Sequence, residues 1–195
     1  MKYAFTMQKL GSGVRGLGAV MAAALVLWLS PVRADDASDR ARVQALLDQL
    51  ATAPDAATAD GLTQQIWRIW IVPADADLAG RMAAVLTDEQ AGDLATARQL
   101  LDAMVMTYPT YAEGWNQRAT IEYETQDYAA SRADIDQVLK LEPRHFGALS
   151  GLVMVDLALG DRKAALTAML AALRVHPFLG EKALFPELNQ PETRT

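Results

Sequence analysis

Apolar positions along this chain fall at helical spacing. Leu94, Ala97, Leu101, Met104 and Val105 recur every three or four residues and form a single greasy stripe. The same spacing carries Val43, Leu46, Leu47 and Leu50 in "SDRARVQALLDQLATAP". It continues with Leu62, Ile66, Ile69 and Trp70 in "DAATADGLTQQIWRIWIVP", where Trp67 sits on a flank. The pattern predicts helices throughout, each with one face to bury.

A second, longer period organises these helices. Pro109, Pro143 and Pro177 are 34 residues apart, as are Asp93, Asp127 and Asp161. Ala97, Ser131 and Ala165 share the offset, and so do Leu101, Ile135 and Met169, Met104, Val138 and Ala172, and Asp88, Glu122 and Asp156. Windows 78–111, 112–145 and 146–179 align without a gap. A fixed period of this length marks a helix–turn–helix repeat. The pairs Gly92-Asp93, Gln126-Asp127 and Gly160-Asp161 read as turns whose Asp caps the following helix. Each Pro ends a unit, since it cannot continue a helix. Thr110 with Glu113 three residues on is a capping-box pattern for the first helix of the middle unit.

The windows resemble the tetratricopeptide repeat over residues 78–179. The middle unit supplies Trp115, Ala119, Ser131, Ile135 and Pro143, and the last supplies Leu149, Leu152, Ala165, Met169 and Pro177. Departures are Arg118 and Glu122 in apolar or aromatic slots, Val153 in a small-residue slot and Arg81 in place of the first aromatic. Arg118 and Glu122, four apart, are placed to pair, either as a structural filling of that slot or as a charged feature of a binding surface. The resemblance implies an all-α, right-handed α-solenoid. Residues 35–77 do not keep the register and read as an N-terminal hairpin capping the solenoid end. "GEKALFPEL" predicts a short closing helix, and 189–195 a frayed tail. "IWRIW" and "RHFGALSGL" also resemble small, signal-bearing bacterial tetratricopeptide proteins, from which no biochemical activity carries over.

The first 34 residues differ in kind. Lys2, Lys9 and Arg15 form a basic start, Leu17 to Leu29 is an uninterrupted apolar run of 13, and "VRA" leads to small residues ending at Ala34. The run is short for a bilayer span of about 20 residues, so it predicts a cleavable secretory signal, a periplasmic mature protein beginning at Asp35 and no stable anchor. An uncleaved anchor is the alternative. Loss of Lys2, Lys9, Arg15 and Arg33 takes the formal charge from -6 to -10. Such acidity disfavours a nucleic-acid partner. With no Cys in the chain, disulfides, thiolate metal sites and a Cys nucleophile are excluded.

Catalytic chemistry finds no foothold. His145 and His176 fall in turns between units, with no further ligand at metal-binding spacing. "GSGVRGLG" lies in the leader with no strand before it, and Ser150 in "LSGLV" lacks the Gly of a nucleophile elbow. Neither an enzyme nor a cofactor is expected. The resemblance implies instead a concave groove, lined by the first helix of each unit, that holds a peptide or partner protein. The facing positions are Met82, Leu86, Glu89 and Gln90 in the first unit, and Glu113, Asn116, Thr120, Tyr123 and Glu124 in the middle one. The last unit contributes Ser150, Met154, Leu157 and Ala158. Met82, Leu86, Met154 and Leu157 suit packing against a neighbouring hairpin equally well. No Lys stands in these slots, so the clamp by which one subtype grips a C-terminal carboxylate is absent. The function expected is a non-catalytic scaffold or adaptor. The rival is a small-molecule binder with an apolar pocket near Trp67, Trp70 and Trp115, or an accessory subunit of an envelope enzyme.

Overall fold

The computed structural model describes residues 34–189. The expected signal segment up to residue 33 and the tail from 190 on lie outside the described residues. Eight α-helices follow one another with no strand among the described residues: α1 (Ala34–Ala51), α2 (Ala56–Ile71), α3 (Ala76–Gln90), α4 (Leu94–Thr107), α5 (Ala112–Glu124), α6 (Tyr128–Leu141), α7 (Phe146–Ala158) and α8 (Arg162–Val175). They pack as successive hairpins, α1 on α2, α3 on α4, α5 on α6 and α7 on α8, with α5 also on α4 and α7 on α6. This is an all-α helical-repeat solenoid.

Local chemistry sets the helix ends. Asp93, Asp127 and Asp161 precede α4, α6 and α8 and accept from the backbone N–H of Thr96, Ala130 and Ala164 at 3.0, 3.3 and 2.9 Å. Asp55 and Asp75 do the same for α2 and α3. The turn before each of these periodic caps needs a left-handed residue. Gly92 and Gly160 supply it at φ 76° and 79°, while Gln126 holds φ 65° with a full side chain. The capping box expected at Thr110 and Glu113 does not form. Tyr111 precedes α5 without a side-chain cap, and Glu113 turns inward.

Burial divides into three clusters. One joins α3, α4 and α5 through Leu78, Met82, Val85, Ala97, Leu101, Met104 and Ile121. A second joins α5, α6 and α7 through Ala119, Ile135, Val138, Ala148 and Val155. The largest joins α1 and α2 to α7 and α8, with Val43, Leu47, Leu50 and Ile66 against Leu149, Val153, Met169 and Ala172. Each Val, Leu, Ile or Met among them gains about 1.5–3 kcal/mol on leaving water, and each Ala less. The N-terminal hairpin thus packs mainly on the last unit and reaches the core cluster of the first through Ile71, where the register break led one to expect a cap on the first. The closing segment also differs from a short α-helix: two 3₁₀ turns, Gly180–Leu184 and Pro186–Asn189, flank Phe185, which is fully buried in that cluster.

The hairpin reaches the last unit by running over the turns between units. The Tyr111 hydroxyl donates to the Trp70 carbonyl at 2.6 Å, and the Trp70 ring stacks on His145, the residue 34 positions after Tyr111. Farther along, Thr63 Oγ1 lies 3.1 Å from His176 Nε2. From α1, Gln44 donates to Glu142 at 2.6 Å and Arg144 donates to Asp48 at 2.5 Å. Gly147 is required here, because a Cβ at that position would meet the Trp67 ring at 2.7 Å.

Ion pairs link successive units with the same period. Arg98 of α4 donates to Glu122 of α5 at 2.9 Å, and Arg132 of α6 donates to Asp156 of α7. The expected Arg118–Glu122 pair is replaced. Arg118 grips Asp134 with two donors at 2.6 and 2.8 Å and Asp102 with a third at 2.8 Å. Those partners lie across the helix pair on α6 and α4, where a guanidinium reaches both carboxylates without crowding its own helix.

Candidate functional site

The inner face of α5 meets that of α7 over a cavity of about 160 Å³. Asn116, Ala119, Thr120 and Tyr123 line it from α5, Gly147, Ser150, Gly151 and Met154 from α7, and Ser131 and Ile135 form its base. A second hollow of about 110 Å³ lies beside it, lined by Glu89, Leu94, Thr120, Ile121 and Glu124. Thr120 borders both, and the two hollows are together called the cleft.

The wall of the cleft is fixed from behind. His145 is fully buried, and its Nδ1 accepts the backbone N–H of Ala148 at 3.1 Å. The ring proton therefore sits on Nε2, which donates to Glu113 Oε2 at 3.0 Å. The other oxygen of Glu113 accepts from Asn116 Nδ2 at 3.2 Å and Gln117 Nε2 at 2.5 Å. A carboxylate accepts only, so the Asn116 amide is held in one orientation, with Nδ2 turned to Glu113 and Oδ1 left over. Three partners satisfy the two buried oxygens of Glu113, as buried polar groups require.

Among the positions expected to face a groove, the structure gathers Glu89, Asn116, Thr120, Tyr123, Glu124, Ser150 and Met154 around this cleft. It places others elsewhere. Met82 is fully buried between α3 and α4, and Leu86 packs on the same cluster, so both are core. Glu113 is buried behind the wall. Leu157 packs on the largest core cluster, and Gln90 and Ala158 are exposed near the ends of α3 and α7. Leu94, Ala119, Ile121, Ser131, Ile135, Gly147 and Gly151 line the cleft without having been expected to face a groove. Ile121 apart, their signal was smallness or position on the second helix, and Gly151 lets Ile135 approach to 3.4 Å of where a Cβ would lie.

The electrostatics of the cleft are one-sided. Burial, then repulsion from Glu124 and Glu113, holds the Glu89 carboxyl above its ordinary range. Its Oε1 is sealed from solvent and accepts no hydrogen bond. No Lys or Arg lines either hollow. Nearby, burial and the charge of Asp134 push the Glu122 carboxyl up to about 7 against the pull of Arg118 and Arg98.

The tryptophans expected to form a small-molecule pocket are not gathered. Trp67 and Trp70 pack edge to face at 5.4 Å and fill their own space with His145 and Phe146. Trp115 belongs to another cluster, half-buried, with its Nε1–H donated to the Pro109 carbonyl at 3.0 Å. Among the described residues no group of three potential ligands is placed to hold a metal, and no helix is long and apolar enough to cross a membrane.

No protein-family model matches the chain. A tetratricopeptide repeat-containing protein of Rhizobium etli is 32% identical over 142 residues, covering 72% of this chain and 69% of the relative.

Proposed function

Because the chain belongs to the tetratricopeptide repeat family, we propose that it is a non-catalytic scaffold or adaptor that holds an extended segment of a partner protein in the cleft between α5 and α7. The observation that carries this reading is the wall itself. A buried network spends Glu113 and His145 on fixing Asn116 beside an otherwise open cavity. The network pre-organises a hydrogen-bonding group in it, which lowers the cost of binding. At about 160 Å³ the cavity falls short of the roughly 300 Å³ or more of pockets that enclose drug-sized ligands.

The basic start, apolar run and small-residue exit of residues 1–34 support the proposal that the protein is exported and works in a bacterial periplasm. N-terminal sequencing from a periplasmic extract should return Asp35. An intact Met1 in the membrane fraction favours an anchor instead.

Selection of displayed random peptides on the folded protein, followed by amide chemical-shift mapping, tests the binding reading. The expected footprint is Asn116, Thr120, Tyr123, Ser150 and Met154. A footprint on the outer helices α6 and α8 alone would place binding elsewhere.

A further inference from the structure

The hydrogen-bond polarity of the cleft specifies what its occupant must bring. Around the larger cavity nearly every hydroxyl proton is already committed. Thr120 Oγ1 donates to the Asn116 carbonyl at 3.1 Å, Ser131 Oγ donates to the Ala119 carbonyl at 2.8 Å, and Ser150 Oγ donates to Glu181. Their lone pairs remain. Asn116, only 7% exposed, gives its Nδ2 to Glu113 and turns a cavity-lining amide whose Oδ1 accepts nothing from the protein. The phenol of Tyr123 and the second N–H of Asn116 Nδ2 are the remaining donors among the described lining side chains. One step along, the second hollow adds the carboxylates of Glu89 and Glu124, the former with a buried oxygen that lacks a partner. The cleft is therefore rich in acceptors, poor in donors and negative at one end. Glu89 and Glu124 repel each other at the hollow they both line, and a cationic donor between them relieves that repulsion.

Building on the groove reading, we propose that the cleft selects its partner segment by a lysine or arginine side chain. The aliphatic stem of that side chain crosses Thr120, where the two hollows meet, and its cationic head enters the hollow of Glu89 and Glu124. A backbone N–H of the same segment donates to Asn116 Oδ1. Charge complementarity commits the site to a basic peptide segment, since an acidic one would add a third negative charge to an already repelling pair.

The test uses four pools of acetylated and amidated nonapeptides, with the central residue fixed as Lys, Arg, Leu or Glu and the flanks randomised over uncharged residues. Binding to the full chain is read by fluorescence polarisation, and its place by the amide shifts of Thr120 and Tyr123. The Lys and Arg pools should bind about tenfold tighter than the Leu pool, with a preference that shrinks as salt rises. In the double variant Glu89→Gln with Glu124→Gln that preference should fall below about threefold. If the Leu or Glu pool shifts Thr120 and Tyr123 at the same concentration as the Lys pool, the cationic specificity is overturned and the groove stands. Retention of the full preference by the double variant also overturns it. Spermine competing as well as the Lys pool would show that the hollow takes free amines instead of a chain segment. If no pool moves these resonances, the groove reading itself fails.

Discussion

The indole of Trp70 lies flat on the imidazole of His145, with ring centroids 4.0 Å apart and planes 9° from parallel. The same imidazole caps α7 through Ala148 and holds Glu113 of α5. One buried ring thus joins the N-terminal hairpin, a turn between units and the wall of the cleft.

Truncation at that contact should be costly. Trp70→Ala removes a stacked aromatic and opens His145 to water, with an expected loss of about 3 kcal/mol, toward the low end for large aromatics because Trp70 is half-buried. Trp115→Ala should cost less, although Trp115 fills the slot in which the family buries an aromatic, because its ring stacks on no other aromatic among the described residues and Arg118, which covers it at 4.9 Å, stays held by Asp134 and Asp102. Urea unfolding of the two variants measures this order, and the reverse order would mean that the hairpin contact contributes little.

Removal of residues 35–71 should damage the far end of the repeat array first. The hairpin buries Leu149, Val153, Met169 and Ala172 of the last unit, so hydrogen exchange should accelerate in α7 and α8 before α3 and α4. Faster exchange beginning in α3 would restore the simple picture of a cap on the first unit.

Gln126 is a point of stored strain. At φ 65° it occupies the position that Gly92 and Gly160 fill in the other two units, and a side chain in that region costs about 1 kcal/mol. Gln126→Gly should therefore stabilise the protein by roughly 0.5–1 kcal/mol, despite the extra freedom glycine gives the unfolded chain. Thermal unfolding at fixed pH reads the shift, and a lower melting temperature would contradict it.

Glu122 makes stability depend on pH in a stated direction. Its carboxyl is pushed up to about 7 by burial, so the folded state holds its proton more tightly than the unfolded chain. The associated stability is fully present below the ordinary carboxylate range and is lost as pH rises through about 7. Glu122→Gln should remove this dependence, becoming more stable relative to the parent at pH 8 than at pH 5 by on the order of 1–3 kcal/mol. An equal loss at both pH values would show that the Arg98 pair outweighs the burial cost.

The repeat array was legible because its signals are local and periodic. Asp93, Asp127 and Asp161 cap helices as their spacing implied, and Ala97, Leu101 and Met104 lie in the core. The ladder Arg98–Glu122 and Arg132–Asp156 also keeps the period in both partners, but the acidic column alone did not name its arginines. What sequence did not show is chemistry between distant segments. The contacts of Thr63 with His176 and Gln44 with Glu142 span about a hundred residues, and nothing in a helical stripe says which unit it will cover. Within the cleft, a facing register alone could not separate Thr120, which is exposed, from Met82, which is sealed in the core. Both positions follow the same helical rule, and depth depends on the neighbour.

Thr120 offers the most direct measurement of the central claim, because it is exposed and borders both hollows. Thr120→Trp should plug the cleft while changing stability by only about half a kcal/mol, as surface substitutions do. Calorimetric titration of peptides selected on the parent protein should then show at least a tenfold loss of affinity in this variant, with its melting temperature unchanged. Undiminished affinity in a folded Thr120→Trp protein would contradict binding between α5 and α7.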